Sequence, residues 1–149
     1  MIQAVFSLLS LGMLIAGCTG SRPMNLGVHD GKLAPCPATP NCVSSQSLDR
    51  EHGIEPLRYT GSARQAMDQL KKVISGMKQA RIVAEDGVYL HVEFTSALFR
   101  FVDDVEFVAE ERAAAIHVRS ASRVGSSDLG VNRKRVETIR AAMNAAAPN

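Results

Sequence analysis

An α+β domain, an antiparallel sheet of four or five strands with two helices packed on one face, is the fold class this 149-residue sequence predicts. Three observations carry the prediction. A capping box opens an apolar stripe at helical spacing over residues 62–77. Strand-like runs follow between residues 81 and 122, the first two joined by Asp86-Gly87. A second helical stripe closes the chain over residues 132–146.

In chain order, Pro56 to Thr60 reads as a short strand added to a sheet edge. In Ser62-Ala63-Arg64-Gln65 the serine hydroxyl can accept the Gln65 N–H while the glutamine side chain reaches back. Behind it Ala63, Ala66, Met67, Leu70, Val73, Ile74 and Met77 form one face, and Gly76 stands near the helix end. Arg81 to Glu85 is the next strand, and Asp86-Gly87 signals a two-residue hairpin. Val88, Leu90, Val92 and Phe94 then alternate with Tyr89, His91, Glu93 and Thr95. Phe101 to Val108 and Ile116 to Ser122 are two further strands. The helix from Asn132 to Ala146 sets Val136, Ile139, Ala142 and Met143 on one side.

The N-terminus points to an address rather than a reaction. Residues 4–17 are uncharged and apolar, a length that suits a signal h-region and falls short of a membrane span. Leu14-Ile15-Ala16-Gly17-Cys18 resembles a lipobox, with small residues before a cysteine that takes a diacylglycerol. The n-region Met1-Ile2-Gln3 lacks the usual Lys or Arg, and the competing reading is an ordinary buried helix. On the lipobox reading residues 1–17 are a signal peptide, 18–33 a flexible tether and 34–146 a single domain. The chain is then held in a membrane through acylated Cys18. Thr19, in place of the Asp that favours inner-membrane retention, points to the outer membrane facing the periplasm.

Removing residues 1–17 from 149 leaves 132, enough for one core and too few for two domains. A net charge of +2 with no basic stripe argues against nucleic acid as a partner. Cys36 and Cys42 have five residues and two prolines between them, the usual pattern of a disulfide in an oxidising compartment. A redox dithiol and half of a zinc site, with His29 and His52 as the nearest further ligands, stay open beside it.

Polar residues concentrate late in the chain. By period two, Phe101, Asp103, Val105 and Phe107 share a face, so Asp103 needs a partner, with Arg100, Arg119, Arg123 and Arg133 available. The other face gathers Asp104 and Glu106, with His91 and Glu93 before them and His117, Arg119 and Arg123 after. Three readings compete. The first is cross-strand ion pairs on a solvated face, with buried arginines fixing the last loop and helix. The second is an anion site in which Ser120, Ser122, Arg123, Ser126, Ser127 and Arg133 surround the N-terminus of the last helix. The third is metal binding or acid–base work by His91, Glu93, Glu106 and His117. Asp128 reads as a helix cap or, less simply, a ligand contact.

Several segments carry a resemblance: Cys36-Pro37, Pro40-Asn41-Cys42-Val43-Ser44-Ser45, Phe101 to Phe107, Arg119-Ser120-Ala121-Ser122-Arg123-Val124-Gly125, and Ser127 to Glu137. Over about residues 34–144 the chain resembles the family known as domain of unknown function 1499, with Ser126 where many relatives have tyrosine. The resemblance implies an extracytoplasmic setting and supplies no catalytic residue. The expectation is therefore a lipid-anchored, non-enzymatic envelope domain that binds a protein partner or small anionic ligand. Its contact residues are Arg119, Ser122, Arg123, Asp128 and Arg133, supported by Asp103 and Asp104, and no cofactor or metal is expected. The alternatives are a hydrolase or isomerase using His91, Glu106 and His117, and a purely structural lipoprotein.

Overall fold

The computed structural model describes residues 19–146; Cys18 and the apolar segment before it lie outside the described residues. The elements run β1 (Cys42–Ser44), β2 (Leu57–Arg58), α1 (Ala63–Ser75), β3 (Ala80–Asp86), β4 (Tyr89–Thr95), β5 (Val102–Glu110), β6 (Ala115–Ser122) and α2 (Val131–Ala145). They build an α+β fold with one antiparallel sheet in the order β1-β6-β5-β4-β3. The edge strand expected at residues 56–60 is β2, which pairs with the beginning of β6. Strand β1 was not anticipated and takes the sheet to six strands. Its three residues pair with Ala121, Ser120 and Arg119 on the same edge of β6.

The local signals act as their chemistry dictates. Ser62 accepts from the Gln65 N–H, and the Gln65 side chain accepts from the Ser62 N–H. Ala63, Ala66, Met67, Leu70 and Ile74 of α1 are buried. In the β3–β4 hairpin Asp86 pairs with Tyr89, so the two turn residues are Gly87 and Val88. Gly87 has φ +47°, a conformation that costs glycine little.

The sheet has two faces of different chemistry, and both are buried. One carries Leu90, Val92, Phe94, Val105, Phe107, Ile116 and Val118 against both helices, where they meet Leu70, Val136 and Ile139. The other carries His91, Glu93, Asp104, Glu106 and Arg119, all buried as well. This corrects the expectation of a solvated charged face: the N-terminal segment lies against it. Arg22 donates to Glu93, and the Gly27 N–H donates to Glu106 at 2.6 Å. Residues in the span read as a tether are thus hydrogen-bonded to the sheet. Phe101 is a second correction. It precedes β5, is 41% exposed, and does not join the buried row of Asp103, Val105 and Phe107.

A disulfide joins Cys36 to Cys42 across a Cα–Cα distance of 5.6 Å. It ties the end of the N-terminal segment to β1 and so to the sheet edge. Among the described residues, no helix is long and apolar enough to cross a membrane.

Candidate functional site: a buried charge network beside a pocket

Strand register assembles the charged face. Glu93 lies opposite Asp104, and His91 opposite Glu106, on β4 and β5. Glu106 in turn lies opposite Arg119 on β6. Because side chains alternate across a strand, these groups converge on the face that the helices do not cover.

Arg123 binds the first part of this set together. Its Nε and Nη2 donate to the two oxygens of Asp104 at 2.8 Å each, and Nη2 also reaches Glu93. Arg22 and Arg81 complete the surroundings of Glu93. Burial alone would push the Glu93 carboxyl up, but the three guanidinium groups outweigh it and hold it down at about 2. Asp104 follows the same balance: burial raises it, and Arg123 with His91 lowers it further. His91 Nε2 lies 2.8 Å from Asp104 Oδ1. An ionised carboxylate only accepts, so Nε2 carries the proton of that bond.

The second part is less complete. Glu106 Oε1 accepts from the Tyr89 hydroxyl at 2.8 Å as well as from Gly27, and burial, then Glu106, pushes the Tyr89 phenol well up. The other oxygen, Oε2, stands 3.6 Å from Arg119 Nη1, too long for a hydrogen bond. Glu106 Oε2, Arg119 Nε and Arg119 Nη1 are buried without a hydrogen-bond partner. Burial pulls the Arg119 guanidinium below its usual range, against the pull of Glu106 and Asp104. A cavity of about 360 Å³ opens beside it, between Pro23, Asn25 and Cys36 on the covering segment and Arg119 and Arg123 on the sheet.

On the helix side a separate network surrounds Asn132, which is fully buried. Its Oδ1 accepts from Ser120 and Arg135, and its Nδ2 donates to Asn41 O, Ser122 and Asp128. Asp128 also accepts the backbone N–H groups of Gly130 and Asn132, bracing the start of α2. Asp103 pairs with Arg135, whose guanidinium lies 4.7 Å from the Phe94 ring centre. None of the four arginines expected for Asp103 is its partner, because they project elsewhere.

Of the five expected contact residues, Arg119, Ser122 and Arg123 line the same cavity, with Asp104. Asp128 belongs to the Asn132 network, and Arg133 donates to the carbonyls of Glu51 and Gly53. His91 and Glu106 are cross-strand neighbours, but His91, Glu106 and His117 share no hydrogen bond. His91 bonds Asp104, while His117 lies between Ser45 and Glu110. Among the described residues, no group of three His, Cys, Asp or Glu side chains could hold a metal ion.

Four contributors escaped the sequence reading: Arg22, Tyr89, Asn132 and Arg135. A signal existed for three of them. Asn132 and Arg135 fall on the helical face of Val136, Ile139 and Met143, where polar residues imply buried partners. Tyr89 shares the alternation of His91 and Glu93, which puts it on the charged face with Glu106, whereas Arg22 carries no signal, since it meets Glu93 only because the N-terminal segment covers the sheet.

The family model described as a protein of unknown function, DUF1499, matches residues 32–143. No curated protein matches the chain. The matched span contains the whole sheet, the disulfide, α1 and nearly all of α2, and the chain belongs to the DUF1499 family.

Proposed function

We propose that this chain is a lipid-anchored envelope protein, acylated at Cys18 and held at the outer membrane facing the periplasm. Its domain binds a small anionic ligand, or an anionic group of a partner, at Arg119 and Arg123. The observation that carries the binding reading is Arg119, a buried guanidinium with Nε and Nη1 unpartnered beside a cavity. Buried donors of this kind are normally satisfied, and leaving one unmade costs about 1–3 kcal/mol. A carboxylate or phosphate group in the cavity supplies an acceptor to Nε, the bidentate edge being Nε with Nη2, since Nη1 lies toward Glu106. The Cys36–Cys42 disulfide supports an oxidising compartment, and the lipobox-like Leu14 to Cys18 supports the anchor.

Thermal unfolding of the full chain in acetate, phosphate and sulfate at matched ionic strength tests the binding reading. One of these anions should raise Tm saturably in the parent and in Arg133→Gln, and leave Arg119→Gln unmoved. An equal response in Arg119→Gln, or no anion-specific response, would contradict it. Mass spectrometry tests the anchor: the acyl mass should be present on the parent and lost in Cys18→Ser.

A further inference from the structure

We infer that the end of the domain formed by the β4–β5 loop and the start of α2 is a membrane-docking surface that rests on the lipid bilayer. The inference deepens the anchor reading and rests on it. Thr95 of β4 pairs with Val102 of β5, and the Arg123 N–H donates to Val102 O, so these strand ends and the loop into α2 share one end of the molecule. That end displays the apolar side chains Leu98 at 79%, Phe99 at 65% and Leu129 at 96% exposure, with Phe101 and Val131 partly exposed. Isolated exposed apolar residues are ordinary, but five at one end mark a contact surface.

The β4–β5 loop is built to present them. The Ser96 N–H donates to Phe101 O at 2.8 Å, and the Phe101 N–H donates to the Ser96 hydroxyl at 2.9 Å. Between them Arg100 takes a left-handed φ of +59°, and the Phe99 and Phe101 rings stack at 5.6 Å. Arg100, Lys78 and Lys134 are exposed, and the two lysines line a cavity with Phe94 and Val131. Aromatic rings with cations beside them suit the boundary between acyl chains and anionic headgroups.

What selects a bilayer over another occupant is the place where the chain enters the domain. Gly20 packs so closely on this end that a Cβ there would lie 2.9 Å from both Arg123 Cβ and Val124 Cγ1. Arg22 then bonds Glu93 and Gly27 bonds Glu106, so the segment runs away from the loop toward the β3–β4 hairpin. Cys18 is two residues before Gly20, no more than about 7 Å of extended chain. Acyl chains on Cys18 therefore bring this end, and not the hairpin, to the membrane.

The chain has no tryptophan, so single tryptophans report position directly. Phe99→Trp and Val88→Trp, the latter on the exposed β3–β4 turn at the other end, are made in the full chain. Each is reconstituted into phosphatidylethanolamine–phosphatidylglycerol vesicles carrying dibrominated phosphatidylcholine, and acylation is read separately by mass. The inference expects acylated protein in which the Phe99→Trp emission is blue-shifted and quenched by bromine, while that of the Val88→Trp chain is neither. Acylated protein with unquenched Phe99→Trp emission would overturn the docking surface and leave the anchor standing. A blue shift without bromine quenching, together with a doubled mass in solution, would assign the surface to a second copy and overturn it too. Absence of acylation would remove the anchor and this inference with it.

Discussion

The two faces of the sheet are both buried and are held by opposite means. The helix-covered face buries Leu90, Val92, Phe107 and Ile116 against Leu70, Val136 and Ile139, where shape and apolar area suffice. The other face buries Glu93, Asp104, Glu106, Arg119 and Arg123 beneath an irregular segment with a disulfide at its end. A burial of charge at that density stabilises little unless every group is paired, and removing one partner is costly. The contrast teaches that the charged face is specified by its pairing. Pairing is incomplete at Arg119 and Glu106, and that is where the proposed anion site lies.

The contrast breaks first at Asp104. Asp104→Ala strands Arg123 and His91 and should cost about 3–5 kcal/mol in chemical denaturation, a loss comparable with the roughly 2–5 kcal/mol expected for Leu70→Ala on the helix face. A loss below about 1 kcal/mol, the size for an exposed pair, would mean the charged face is wet. Asn132→Ala comes next, at about 2–3 kcal/mol, because it leaves the buried Ser120 hydroxyl without its acceptor and frees the start of α2. Replacing Cys36 and Cys42 by serine opens a short loop and should cost about 2 kcal/mol, with hydrogen exchange rising on the charged face before the helix face. Arg22→Ala, half-exposed and one of three cations on Glu93, should cost no more than about 1 kcal/mol.

Acid sharpens the same contrast. Glu93 titrates at about 2 in the folded chain against 4.5 for an unperturbed glutamate, so its contribution to stability is complete above pH 4.5. It declines as pH falls from 4.5 toward 2, because the unfolded chain binds the proton first. The melting temperature should fall across that window, and the fall should shrink in Glu93→Gln.

Much of this fold is legible in the sequence because its helix face obeys simple periods. Ser62 to Met77, the alternation Leu90-Val92-Phe94 and the stripe Val136-Ile139-Met143 each name their element and their buried side. The grouping of His91, Glu93, Asp104, Glu106 and Arg119 on one face was legible for the same reason. The burial of that face was not. It depends on the Gly-, Pro- and Asn-rich segment near Arg22 and Gly27, whose composition resembles a linker and whose partners, Glu93 and Glu106, are 71 and 79 positions away. Strand β1 escaped because three residues cannot show a period, and Arg135 because it is not among the arginines expected as partners of Asp103.

Arginine-detected nuclear magnetic resonance tests the central claim most directly, since buried guanidinium Nε–H groups exchange slowly enough to be observed. The Nε resonances of Arg119 and Arg123 should be resolved without ligand, and titration with the stabilising anion should move the Arg119 signal saturably while Arg133 and Arg140 stay in place. A uniform drift of all four, or an Arg119 signal that the anion never moves, would contradict the account.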